Sequence, residues 1–527
     1  MRWFEWDGLN KMMRKSTVFL VVVLAVLVVG AGVAFMQRAR RVGTPMAGAS
    51  GPVIQLAAGE NLQRALDQAK PGDTIVLEAG AVYKGPFTLP VKQGNEFITI
   101  QTSKLAELPE GVRVSKAQSA LFAKLQSAEN GSPIIKTEPG AHHYKFIGVE
   151  ISTTNAQVKI NDLVRLGDGA PQKRLDAVPH HFVIDRSYIH GFETQEVQRG
   201  ISLNSAETSI TNSYISDVHG KGYDTQAICG WNGPGPYKII NNYLEGAGEN
   251  VMFGGADPSI PNLVPSDIEI RDNYFFKPMS WKVGDPSYAG QHWSVKNLFE
   301  LKNARRVTID RNIFENNWVD AQAGSGILFT VRNDEGTAPW ATIEDITFTN
   351  NIVKNSPSAL NLLGKDNLKP SQRAKNIVIS NNFFIGISGT FLTMSGYPNA
   401  TISNNTHLQS GNIMTLHGDQ SPGFVYKNNV TVRDDKGYGV KGDASGEGTI
   451  ALEAFTPGAQ FVNNVIVGAN ASQYPGNNSY PSSLAEVGFA GAEAGDYRLG
   501  PRSKYRQTGS QKAAVGCDFD LLPKHSK

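Results

Sequence analysis

A short unit of alternating polarity recurs along the chain: an apolar residue, two mostly polar residues, often a second Asn, then usually apolar residues again. It reads IDRSYI at 184, ITNSYI at 210, IINNYL at 239, IRDNYF at 270, IDRNIF at 309, FTNNIV at 348, ISNNFF at 379, ISNNTH at 402, YKNNVT at 426 and FVNNVI at 461. These ten copies are spaced by 26, 29, 31, 39, 39, 31, 23, 24 and 35 residues, so the variation must be absorbed in loops. A second alternating run precedes each copy, among them GISL at 200, AICG at 227, VMFG at 251, LFELK at 298, GILFTVR at 326 and ALNLL at 359. Period-two alternation means β-strands. Two or three short strands per copy predict stacked coils about 4.8 Å apart, each strand pairing with its equivalents above and below. The recurrent Asn suits an inward-facing turn, where its amide satisfies backbone groups that no strand hydrogen bond reaches, so it is structural.

The pattern changes at both ends. ENLQRALDQAKPGDTIVLEAGAVYKG, residues 60–85, predicts a short helix with Leu62, Ala65, Leu66 and Ala69 on one face, a Pro-Gly-Asp turn and a first strand. Before it, residues 17–36 form an uncharged apolar run that, at about 1.5 Å per residue, spans a hydrocarbon core of about 30 Å. We expect a tail over 1–16, a transmembrane signal anchor over 17–36, a linker over 37–51, the repeat domain over 52–515 and a C-terminal tail over 516–527. The bulk is then extracytoplasmic and membrane-anchored, or secreted if the segment is cleaved, as after Ala34.

Composition narrows this picture little. Lys plus Arg number 50 against 48 Asp plus Glu, which gives no reason to expect a nucleic-acid partner. The 54 glycines suit an all-β chain full of turns, and Cys229 and Cys517 are too few for a disulfide framework. We expect two isolated thiols and a monomer.

The Asn-apolar repeats, from about residue 52 to 515, resemble the right-handed parallel β-helix, or pectin-lyase-like, superfamily. The resemblance implies an all-β solenoid, with residues 60–85 as the cap of its open N-terminal end and GDYRLGPRSKYRQTG at 495 as a closing segment. It also implies that substrate lies along the outer face of one sheet in those members that act on polysaccharides.

Alternation then selects the outward residues. Phe299 and Leu301 point in, which leaves Glu300 and Lys302 out; Ile327, Phe329 and Val331 point in, which leaves Arg332 out. Val251 and Phe253 point in, with Glu249 and Asn250 at the strand's mouth, and the coil before offers Asp224, Gln226 and Trp231. Loops lengthen over 219–340, where His219, Trp281, His292, Trp293, Trp318, Gln322 and Trp340 collect. A lyase acting on a uronate polymer needs a base, a neutralised carboxylate and a proton for the leaving oxygen. Lys302 is the candidate base if a neighbouring Arg332 or burial lowers its pKa, and Arg332 or a water serves the leaving oxygen. Glu249, Glu300 and Asp224 are candidate Ca²⁺ ligands, and Trp231, Asn250, His292 and Gln322 candidate substrate contacts. This arrangement resembles the alginate lyase and chondroitinase B type, which implies an acidic polysaccharide as partner. Two readings compete: a glycoside hydrolase using paired carboxylates, and a noncatalytic glycan-binding surface protein. The Asn-Thr-Asp and Asp-Asp motif of β-helix polygalacturonases is absent. For His219 and His292 the competing reading is plain surface or loop hydrogen bonding, and for Glu300 it is a surface ion pair with Arg332.

Overall fold

The computed structural model describes residues 51–434 and 437–524. Short strands stack into three long parallel sheets. Sheet I has 14 strands, from Val53–Leu56 to Gln460–Val462; sheet II, from Phe87–Leu89 to Gly446–Glu447, and sheet III, from Val82–Lys84 to Val465–Val467, have 13 each. Each coil contributes one strand to each sheet, and pairing is parallel except where sheet II ends in an antiparallel pair, Val440–Gly442 with Gly446–Glu447.

The repeat unit explains the stack. The first apolar residue of each copy pairs with the next in one interior column, Ile184, Ile210, Ile239, Ile270, Ile309, Phe348, Ile379, Ile402, Tyr426 and Phe461. Two positions on, the backbone enters the left-handed region, with φ between 46° and 58° from Arg186 through Asn463. That conformation favours the Asn and Asp found at most of these positions. The next residue forms a second column. Asn273 Oδ1 accepts from the Asn242 backbone N–H at 2.9 Å, and Asn312, Asn351, Asn382, Asn405, Asn429, Asn464 and Asn478 repeat the contact in turn. Their amide groups donate to strand carbonyls in a neighbouring coil, such as Asn312 Nδ2 to Ile270 O at 2.9 Å. The recurrent Asn therefore satisfies the buried corner between sheets I and III.

The ends are closed differently. Helix α1, Leu62–Gln68, is capped by Asn61 and buries Leu62, Ala65 and Leu66 over the first coil, as its spacing predicts. At the far end helix α2, Thr449–Phe455, buries Ala451 and Leu452 in the same core as Tyr474. The closing segment does not end the stack. Residues 489–524 run along the outer face of sheet III, where Leu522, Phe519, Cys517 and Tyr497 cover Tyr274, Ile313, Ile352 and Phe383. The segment beyond 515 is thus packed up to residue 524, because sheet III has an apolar outer face to cover. Cys229 and Cys517 are both free. The apolar run at 17–36, with its flanking tail and most of the linker, lies outside the described residues; among the described residues no helix is long and apolar enough to cross a membrane.

Candidate functional site

The candidate residues converge on the outer face of sheet II, but not all as alternation predicts. At the corner entering this sheet two successive side chains point inward, Ala227 with Ile228 and Leu298 with Phe299, all at most 1% exposed. The residue before each pair therefore faces out. Gln226 lies opposite Glu249, and Asn297 occupies the same corner one coil on, since Val251 pairs with Phe299. Asn250 sits at the strand's mouth as expected, but its side chain is fully buried instead of facing substrate, its amide donating to Leu244 O at 2.6 Å and Phe276 O at 2.9 Å.

Glu249 and Glu300 form the centre of the site and are 1% and 3% exposed. Glu300 Oε2 accepts from Asn297 Nδ2 at 2.9 Å and Oε1 from Thr330 Oγ1 at 3.3 Å. Glu249 Oε2 accepts from Gln226 Nε2 at 2.7 Å. Three buried oxygens in this row, Gln226 Oε1, Glu249 Oε1 and Asn297 Oδ1, have no hydrogen-bond partner among the described residues. Buried acceptors are nearly always paired, so this row of three is open to a donor from outside the chain, a water or a cation. Burial raises the Glu249 pKa, and the charges of Glu300 and Asp224 raise it further; burial likewise raises Glu300, against Lys302 and Lys296.

Beneath the row, Lys277 is fully buried and donates to the carbonyls of Gly246, Ala247 and Gly248 at 2.5, 2.8 and 3.0 Å. Three acceptors match the three protons of an ammonium. Burial pulls Lys277 below the ordinary lysine range and Glu249 opposes it, so this side chain fixes the turn that delivers Glu249. Gln226 is among the outward residues that the sequence offers, without an assigned role; neither Lys277 nor the amide of Asn297 stands out there.

The basic groups are arranged otherwise than expected. Burial pulls the Lys302 pKa down, but Glu300, Asp334, Glu249 and Asp224 outweigh it and hold the amine well above the usual lysine range, opposite to what a base requires. Its closest carboxylate is Asp334, at 3.6 Å. Arg332 turns away from Glu300 to Asn367 Oδ1 at 2.7 Å and Asp366 at 3.6 Å. Asp224 pairs with Lys296 at 2.5 Å, and it does not join Glu249 and Glu300 within reach of one ion. Lys296, which acts electrostatically on both glutamates, is an addition to the expected set.

The other candidates flank the row or leave it. Trp231 is half-buried with the Arg199 guanidinium 4.9 Å from its ring centre. His292 is exposed and engages Asp320 at 2.6 Å, tying the loop to Asp320, whose N–H reaches the Gln322 carbonyl at 3.3 Å. Trp281, Trp293 and Trp318 form a small core inside the long loop, and His219 is buried against Trp293 with ring centres 3.9 Å apart. Trp340 packs on the main core and donates to Leu263 O at 3.0 Å.

No family model matches the sequence, and no curated protein matches it. Among solved structures, the catalytic unit of a GH87 α-1,3-glucanase from Streptomyces thermodiastaticus aligns over 84% of this chain and 72% of its own, at 12% identity and a TM-score of 0.53. The fold is a parallel β-helix. The PL6 family alginate lyase AlyGC aligns over 90% of this chain at 14% identity and a TM-score of 0.47, and the chain spans 57% of that lyase. PfbA, a surface adhesin of Streptococcus pneumoniae, aligns over 81% of this chain and 91% of its own at 11% identity and a TM-score of 0.44. At such identities the likeness extends to the β-helix scaffold alone.

Proposed function

We propose that this β-helix is a carbohydrate-active protein that cleaves an acidic, uronate-containing polysaccharide by β-elimination. The carrying observation is the row of unpartnered buried oxygens, Gln226 Oε1, Glu249 Oε1 and Asn297 Oδ1, beside Glu300 and under a rim of Lys296, Lys302 and Arg332. An oxygen-only donor set with two carboxylates fits a hard cation such as Ca²⁺. Gln226, Glu249, Asn297 and Glu300 would hold it. When bound, such an ion would neutralise the glutamate charges that hold the Lys302 proton and offer an electrophile to a uronate carboxylate.

The chain's own groups supply the rest. Lys302 and Lys296 attract the polymer's carboxylates, and Lys302 is the group placed to move the proton. Arg332, fixed by Asn367 and Asp366, is positioned to bind the adjoining sugar rather than to titrate. Trp231 offers a face at the side of the row. The hydrolase reading is weaker because a paired acid and base must touch the glycosidic bond, whereas Glu249 and Glu300 are buried.

The test mixes the soluble part with pectate, alginate and glycosaminoglycans, with and without EDTA, and follows absorbance of unsaturated uronate. We expect product that EDTA suppresses. New reducing ends without unsaturated non-reducing ends would transfer the site to hydrolysis, and binding without cleavage to the glycan-binding reading. The proposal includes anchoring through residues 17–36: the full chain should sediment with membranes and a chain starting at residue 38 should not.

A further inference from the structure

Two pairs of adjacent histidines open neighbouring strands of sheet I, His142–Ile147 and His180–Asp185, with His180 opposite His142. Their rings form two columns, His142 on His180 at 4.9 Å and His143 on His181 at 4.2 Å, each pair stacked nearly parallel. Within each pair the Nδ1 atoms face one another, at 2.8 Å in the first and 2.6 Å in the second. Backbone geometry causes this convergence. His143 and His181 have φ of 60° and 59°, the left-handed bend that Asp267, Asp345, Asn376 and Asn399 occupy in later coils. Here imidazoles stand where later coils use Glu207, Arg306, Asn or Asp.

The protonation pattern is set from outside the cluster. His181 Nε2 lies 2.8 Å from Glu207 Oε2, so Nε2 carries the proton and Nδ1 presents its lone pair inward. A ring nitrogen from each of His143, His180 and His181 lies within 4.8 Å of the others. Metal–nitrogen bonds of 2.0–2.1 Å in a tetrahedral site require nitrogens about 3.3 Å apart, inside that envelope after small ring rotations. His143 is buried while His180 and His181 are half-buried, which leaves one side open to water or to His142.

We propose that His143, His180 and His181 bind a late first-row divalent cation of the Zn²⁺ class, with Glu207 orienting His181, and so clamp two successive coils. All the donors are imidazole nitrogens, whereas the row on sheet II offers only oxygens. The two sites should therefore sort cations by hardness. The pairs begin 38 residues apart and meet only through strand register, so no metal-spacing motif announces them.

The test uses the full chain, stripped with EDTA, dialysed against Co²⁺ or Zn²⁺ in excess Ca²⁺, with bound metal measured and the Co²⁺ absorption spectrum recorded. We expect one equivalent per chain with a nitrogen-ligand spectrum. His181→Asn keeps a residue the bend accepts in other coils and should abolish that equivalent. His180→Ala should do the same, and Glu207→Gln should weaken binding about 10–100-fold. Metal-free His181→Asn should melt with metal-free wild type while losing the metal-induced rise in Tm. Absence of stoichiometric binding by wild type, or binding by His181→Asn and His180→Ala as tight as wild type, overturns the proposal.

Discussion

Glu249→Gln separates a functional carboxylate from a structural one. Burial, with Glu300 and Asp224 adding to it, pushes the Glu249 pKa up to about 7 from 4.5. Because the folded value lies above the unfolded one, the contribution to stability is present below pH 4.5 and is lost as pH rises through about 7. Linkage puts the penalty on the folded state at about 1 kcal/mol at pH 5 and about 3 kcal/mol at pH 8. Gln keeps an oxygen for Gln226 Nε2 and removes the charge, while the lost attraction to Lys277 offsets part of the gain. In EDTA, the variant should therefore be about 1–2 kcal/mol more stable than wild type at pH 8 and near parity at pH 5, read from urea midpoints. Added Ca²⁺ at about 100 times its Kd should reverse the order by stabilising wild type by about 2.7 kcal/mol. A variant less stable than wild type at pH 8 in EDTA would make Glu249 a net structural partner of Lys277 and remove the basis of the oxygen-lined cation site.

Three further outcomes follow from the same geometry. Lys302→Ala should lower uronate cleavage at least about 100-fold because it removes the proton-transfer group, and it should also cost some stability because buried Glu300 loses its counter-charge; wild-type turnover in that variant would exclude Lys302 from the chemistry. Asn312→Ala strands the Asn273 N–H and the Ile270 carbonyl and should cost about 3 kcal/mol, whereas Asn478→Ala at the part-buried end of the column should cost much less; equal urea midpoints would refute the column's role. Leu522→Ala uncovers the apolar outer face of sheet III and should cost about 2 kcal/mol by thermal melting, a loss that a loose tail would not show.

The coils were legible in the sequence because their determinants are local. An apolar residue, a left-handed bend and a ladder Asn sit within four positions, and all ten copies take their places. The helical cap was legible for the same reason. Site orientation failed at one point: alternation assumes a straight strand, and the double inward step at Asn250 and Val251 reverses parity at the corner. Charge states failed where they depend on distant residues. Asp334 and Asp366, which engage Lys302 and Arg332, come from the following loops and coil. The tryptophans of the long loop pack on one another, so richness in aromatic residues marked a loop core more than a sugar platform.

The proposed preference for an acidic polymer rests on layering rather than on the net charge of the chain. Four carboxylates act on Lys302, yet the two at the centre are buried. The side chains of Lys296, Lys302 and Arg332 keep 18%, 15% and 31% of their surface in solvent. Asp224 and Asp334, paired with those lysines, keep 39% and 27%, so a polymer approaching sheet II meets a rim of three cations against two exposed carboxylates, with Glu249 and Glu300 buried behind them. The proposed selection of an anionic ligand rests on that excess of one positive charge at the rim and on a cation held below it. Coil stacking at about 4.8 Å fixes that order, since each coil can contribute only one outward group per position. Neutralising the rim with Lys296→Gln should therefore weaken polymer binding and leave the cation site in place, whereas neutralising Glu300 should remove the cation and with it the contact to the uronate carboxylate.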